Sequence, residues 1–172
     1  CQFPKGADTK ELYWSKLLEE YDGITGIPEE RKELKEYCEK NRVDLKGGFL
    51  WDVDQFDAGL FGITPKEAKY LDPQQRLLLK NSYLALQDAC LDIKELKGSR
   101  TGVYIGISNS DYKEIMPKEE AVSYMLSGNM NNMAAGRISY TFDFHGPALV
   151  VDTACSSSLV AIHQAVLSLH SG

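Results

Sequence analysis

At 172 residues, 43% of them hydrophobic, the chain can bury one ordinary core but not two. A net charge of −6 argues against a nucleic-acid footprint, which needs Lys and Arg clustered on one face. Cys1, Cys38, Cys90 and Cys155 lie far apart, without a Cys-x-x-Cys pair or a histidine at zinc-ligand spacing, and no stretch nears the roughly 20 apolar residues of a membrane helix; a reduced, cytoplasmic protein with neither metal nor membrane span is expected.

Asp8 and Glu11 have the spacing of a capping box, and Leu12, Trp14, Leu17 and Leu18 supply an apolar face, so a helix is predicted over about 9–20. Gly23, Gly26 and Pro28 interrupt it. The charged stretch from Glu29 to Lys40 has few apolar anchors and reads as a solvated helix or loop. From Gly47 to Gly62 the chain is aromatic and punctuated by glycine, which predicts short hairpin pieces around a bend, with Trp51, Phe56 and Phe61 as packing residues.

Thr64-Pro65-Lys66-Glu67 has the cap, first-turn proline and third-position glutamate of a helix start, and Asp72-Pro73-Gln74-Gln75 repeats the device eight residues on. A short helix feeding a long one to about Leu91 is predicted, with Leu77, Leu78, Tyr83, Leu84 and Ala89 facing inward. Asp72 and Arg76 are assigned structural roles, by capping and ion pairing. Thr101 to Ser108 alternates β-branched residues with glycine and predicts a buried strand, Gly102 and Gly106 allowing close backbone approach; their spacing fits no phosphate-binding loop. A polar loop over 109–119 and a helix over 120–126 follow.

Ala148 to Val151 form a short β-branched run, and Ser156 opens a segment in which Leu159, Val160, Ile162, Ala165, Val166 and Leu169 recur at helical spacing. Helix, strand, helix, strand, helix from Pro73 onward predicts right-handed βαβ units on a mostly parallel sheet flanked by helices. Catalytic groups in such sheets sit beyond the carboxyl ends of the strands, where Cys155 lies.

A cysteine on a strand-to-helix turn meets unpaired backbone N–H groups and the positive end of the peptide dipoles. Such a place favours a thiolate, and the same amides could hold an oxyanion. The plain alternative for a single cysteine is a buried small hydrophobe; three following serines, available as caps and spacers, favour the nucleophile. The histidines offer it no partner. His163 is eight residues along the same helix, about 12 Å at ~1.5 Å per residue, His170 lies farther, and His145 precedes the strand at its other end. A triad of Asp152, Ser157 and His163 lacks the Gly-x-Ser-x-Gly elbow and the right facing.

Asp152-Thr153-Ala154-Cys155-Ser156-Ser157-Ser158-Leu159 resembles the active-site cysteine signature of β-ketoacyl synthase (ketosynthase) domains in type I polyketide synthases and animal-type fatty acid synthases. Leu71-Asp72-Pro73-Gln74-Gln75-Arg76 is similar to the family's Asp-Pro-Gln-Gln-Arg block, with Leu71 where Met is usual. Ala134-Ala135-Gly136-Arg137-Ile138-Ser139-Tyr140 and Phe142 to Pro147 resemble two further family segments, and Asp52 to Ile63 the approach to the first long helix. The opening Cys1-Gln2-Phe3-Pro4 resembles the end of a first strand, and Gly172 falls near the middle of the family's domain.

The resemblance implies a thiolase-like α/β fold, here the N-terminal half of a ketosynthase domain over 1–172, with Cys155 taking an acyl chain as a thioester. It implies decarboxylative condensation with a malonyl-type unit, an acyl carrier protein that supplies the phosphopantetheine arm, acyl and malonyl-type thioesters as substrates, and a homodimer. Two histidines are expected in the domain's other half, so these residues alone would form an acylatable thiol at best. The segment 128–137 is implied to lie near the dimer interface and acyl pocket, with Met130 and Met133 as candidates for both, core packing being the alternative. Other thiolase-fold condensing enzymes and a non-catalytic scaffold partner are the rival readings; the long motif agreements and the presence of Cys155 weigh against them.

Overall fold

The two proline-led starts predicted at Thr64 and Asp72 form as expected, and the larger part of the chain is built around them. In the computed structural model, which describes residues 1–116 and 122–172, the chain divides into two compact units, Cys1–Val53 and Asp54–Gly172.

In the first unit, α1 runs over Lys10–Leu18 and α2 over Lys32–Asn41. The cap of α1 is Thr9, not Asp8: Thr9 has extended backbone, and its side chain accepts from the Leu12 N–H at 3.1 Å. The charged stretch becomes α2, which buries only Cys38 and ends at Arg42 in the left-handed region. Thr25–Gly26 (β1) and Lys46–Gly47 (β2) pair antiparallel. Gly47 thus pairs back across more than 20 residues, instead of starting the local hairpin expected over 47–62. Phe3 stacks on Tyr13 with centroids 4.0 Å apart, whereas Trp51, expected to pack, is half exposed.

In the second unit, α3 spans Pro65–Tyr70 and α4 Pro73–Asp88. Thr64 accepts from the Glu67 N–H at 3.2 Å and Asp72 from the Gln74 N–H at 2.8 Å, each satisfying an orphan donor of its first turn. Along α4 the inward residues are Gln75, Leu78, Leu79, Tyr83 and Leu86. Leu84 and Ala89, expected inside, face outward, because the buried stripe follows the 3.6 period from Gln75. A short α5 (Ile93–Leu96) precedes the strand β3 (Val103–Gly106). The polar stretch after β3 is not all loop: Tyr112–Ile115 makes one turn of helix, α6. Residues 117–119 of the expected loop and 120–121 of the expected helix lie outside the described residues; α7 spans Val122–Asn129.

Met133–Phe142 (α8) leads to Ala148–Val151 (β4), which pairs parallel with β3, Val103 opposite Ala148 and Gly106 opposite Val151. Ser157–Ser171 forms the last helix, α9, which packs on both strands. Ile63, Leu71, Leu79, Val103, Ala135, Ile138, Phe142 and Phe144 make the core of this unit. Phe56 and Phe61 stack at 5.3 Å against it, as expected of packing residues.

Two glycines set how closely the backbones meet. A Cβ on Gly106 would fall 2.7 Å from the Ser158 nitrogen, so α9 rests directly on β3 there. A Cβ on Gly146 would lie 2.5 Å from the Thr101 carbonyl, where the approach to β4 runs beside the approach to β3. Among the described residues, no helix is long and apolar enough to cross a membrane.

Candidate functional site

Parallel pairing sends the ends of β3 and β4 to one edge of the sheet. The ladder extends one step further, the Ile107 N–H donating to the Val151 carbonyl at 3.2 Å. The next residues of the two chains, Ser108 and Asp152, therefore emerge side by side. The Ser108 hydroxyl donates to Asp152 Oδ1 at 2.9 Å.

Past Asp152 the chain turns sharply. Ala154 has φ +54°, and Ala154–Ser156 forms a single 3₁₀ turn before α9 begins at Ser157. Cys155 is in the middle of that turn and is exposed. Cys38 is the buried cysteine; Cys1 and Cys90 are exposed.

Ser156 and Ser157 bind the turn rather than capping α9. Ser156 Oγ donates back to the Thr153 carbonyl at 2.8 Å. Ser157, buried at the foot of α9, accepts from the Thr153 N–H at 2.9 Å and donates to the Ala154 carbonyl at 2.7 Å. Asp152 Oδ1 accepts the Ala154 N–H at 3.1 Å. That backbone donor, with the Ser108 hydroxyl second, holds the Asp152 carboxyl below its ordinary value.

The histidines stay apart from this site: His145, His163 and His170 are all exposed, and His145 Nε2 is 3.0 Å from Asp143 Oδ1. No Ser–His pairing forms around Ser157, whose hydroxyl is committed to the turn backbone. The outward side of α9 is apolar: Leu159 is 73% exposed and Leu169 84%, while small residues such as Ser157 and Ala161 face the sheet.

Behind the turn, the segment joining α7 to α8 is held by polar contacts from distant elements. Asn131 Nδ2 donates to the Ser108 carbonyl at 3.0 Å, and Ser110 Oγ to the Asn129 carbonyl at 2.8 Å. Arg137 donates to Glu67 Oε1 at 2.8 Å and Gln75 Oε1 at 2.9 Å, while Gln75 Nε2 donates to the Gly128 carbonyl at 3.0 Å. Asp72 caps α4 as expected, and the Arg76 guanidinium lies over the Tyr112 ring, 5.8 Å from its centroid. Met130 lines an open cleft of about 570 Å³ together with Met116, Met125 and Leu126, and Met133 is partly exposed at the start of α8.

The strand-to-helix turn expected at Cys155 forms, whereas nothing in the local sequence marks Ser108 or Arg137 as residues that hold the backbone around it. The alternation of Thr101 to Ser108 marks where β3 ends; which strand lies beside it, and in which direction, is what makes Ser108 a partner of Asp152.

The whole chain, residues 1–172, matches the family model described as "Beta-ketoacyl synthase, N-terminal domain". It is 43% identical over 180 residues to the polyketide synthase GfsE of Streptomyces halstedii, covering 100% of this chain and 5% of that one. It is 44% identical over 176 residues to the probable polyketide synthase 1 of Dictyostelium discoideum, covering 99% of this chain and 6% of that protein. Among solved structures it resembles the ketosynthase from module 6 of the bacillaene synthase of Bacillus subtilis 168, with TM-score 0.83 and 35% identity over 99% of this chain and 28% of that one. The oxazolomycin ketosynthase domain OzmH KS7 of Streptomyces albus JA3453 matches with TM-score 0.82 and 31% identity, covering 99% of this chain and 31% of the other. The chain thus spans a few per cent of the curated relatives and under a third of the solved chains, as the N-terminal part of a thiolase-like fold. Fold, motifs and turn agree that this chain belongs to the β-ketoacyl synthase family, as its N-terminal domain.

Proposed function

We propose that this chain is the acyl-accepting part of a ketosynthase in a polyketide synthase, with Cys155 as the nucleophile. The observation that carries this is the exposed Cys155 on the turn past β4, in a chain of this family. That the relatives are polyketide synthases supports a polyketide over a fatty acid product.

In this reading the Cys155 sulfur attacks the carbonyl carbon of an acyl group carried as a thioester on the phosphopantetheine arm of an acyl carrier protein. The backbone N–H groups that open α9 face the oxyanion of the tetrahedral intermediate, which collapses with release of the carrier thiol. A malonyl-type unit on carrier protein then loses carbon dioxide, and the resulting carbanion attacks the Cys155 thioester. The new carbon–carbon bond forms, a β-ketoacyl thioester leaves on the carrier, and Cys155 regains its proton.

In this reading the histidines for the decarboxylation come from the other part of the domain, since His145 pairs with Asp143 and His163 and His170 lie further along α9 than its first turn. That part of the domain also covers the apolar outer side of α9, and the complete domain forms a homodimer. The 172 residues alone accept an acyl group at best.

The test is to incubate the longest natural chain carrying these residues with an acyl thioester on carrier protein and digest it for mass spectrometry. The expected result is one acyl adduct on Cys155, absent in Cys155→Ala. No adduct, or an adduct on Cys90 that persists in Cys155→Ala, overturns the reading.

A further inference from the structure

Ala154 is the demanding residue of the turn, since its φ of +54° places a side chain in the left-handed region. For an L residue that conformation is disfavoured by about tenfold or more unless its surroundings enforce it. Both of its peptide groups are held by side chains. The N–H donates to Asp152 Oδ1 at 3.1 Å and the carbonyl accepts from Ser157 Oγ at 2.7 Å.

The same two side chains are tied to each other through the neighbouring strand. Ser108 donates to Asp152 Oδ1 at 2.9 Å, and its oxygen lies 3.4 Å from Ser157 Oγ. Asn131 donates to the Ser108 carbonyl at 3.0 Å, which fixes the strand end that delivers Ser108.

We infer that Ser108, Asp152 and Ser157 form a single clasp that keeps Ala154 left-handed and so presents the Cys155 sulfur for acyl transfer. They are positioning residues, acting through the Ala154 backbone. The inference rests on the reading of Cys155 as the nucleophile.

The rate of iodoacetamide alkylation at Cys155, followed by peptide mass spectrometry in the longest natural chain with exposed Cys90 as internal reference, tests it. Asp152→Ala is expected to slow Cys155 about tenfold, the rate equivalent of releasing the left-handed residue, and to leave Cys90 unchanged. Asp152→Asn keeps an oxygen that accepts the same two donors and should stay within about threefold of the natural chain. Adding Ala154→Gly to Asp152→Ala should recover most of the loss, because glycine takes positive φ without support. Ser108→Ala, which spares the turn itself, should slow Cys155 about threefold.

Asp152→Ala and Ser108→Ala that both react within about twofold of the natural chain would overturn the clasp, while Cys155 still outpaces Cys90. A slowed, folded Asp152→Ala that Ala154→Gly does not restore overturns it equally. If Cys155 in the natural chain reacts no faster than Cys90, the nucleophile reading itself falls and takes the clasp with it.

Discussion

Two polar clusters in the second unit use similar chemistry to opposite ends. Around Arg137, long side chains from α4 and α8 and from the first turn of α3 meet in a nearly dry junction: the Arg137 side chain is 12% exposed and its partner Glu67 23%. Around Ala154, short side chains hold one exposed turn through its backbone. The first cluster joins helices that are far apart in sequence, so it contributes to the stability of the unit. The second fixes a few dihedral angles next to a sulfur and adds little to stability. If Cys155 is the nucleophile proposed above, the fold and the presentation of its sulfur rest on two different sets of residues.

Breaking the junction is the largest test of that separation. Arg137→Ala leaves Glu67 charged and partly buried and removes the donors to Gln75 and the Ser127 carbonyl. A loss of about 3 kcal/mol is expected from the urea midpoint, in the range for a buried pair deprived of one partner. Arg137→Lys keeps the charge but replaces the planar fork of donors that reaches Gln75, Glu67 and Ser127 with a compact ammonium, and should lose less. In both variants the folded fraction should alkylate Cys155 at the natural rate. A fall in that rate without unfolding would show that the two clusters are one.

Gly106 sits between the two behaviours. The Cβ of Gly106→Ala would meet backbone atoms of Ser157 and Ser158 at 2.7–2.8 Å, so α9 itself must move. About 2 kcal/mol of stability should be lost, as is usual for overpacking, and unlike the Arg137 variants it should also change the Cys155 alkylation rate, because Ser157 moves with the helix. An unchanged rate would mean that the turn does not depend on where α9 rests.

The legible parts of this fold were those written in local chemistry. Thr64-Pro65 and Asp72-Pro73 announce helix starts because cap and proline act within three residues of each other. The Cys155 turn could be placed because a short β-branched run meets a helical pattern there. Asp8 misled by one residue, since Asp8 and Thr9 both suit a cap and only the backbone at Thr9 decides between them. The Arg137 junction was illegible: its partners Glu67 and Gln75 lie 70 and 62 residues away, and no spacing rule spans that distance. Ser108 was hidden for the same reason, as was the pairing of Gly47 with Thr25.

The smallest expected effect is the one that isolates the turn, and its sign follows from Asp152. Its carboxyl is held below the ordinary value, first by the Ala154 N–H and then by the Ser108 hydroxyl, both of which bond better to the ionised form. A depressed folded-state pKa stabilises the folded chain fully above the unfolded value, near about 4, and that stabilisation is lost as pH falls through the folded value. Asp152→Asn accepts the same donors but does not titrate. The difference in urea midpoint between the natural chain and Asp152→Asn should therefore be flat from about pH 7 to 5 and shrink in favour of the variant below about pH 4. Every other carboxylate titrates alike in the two proteins and cancels, so the slope belongs to position 152. The exposed carboxylate keeps the difference small and salt-sensitive. A difference that stays constant down to about pH 3 would mean that Asp152 does not hold the Ala154 turn in its charged form, and the turn would then be kept by Ser157 alone.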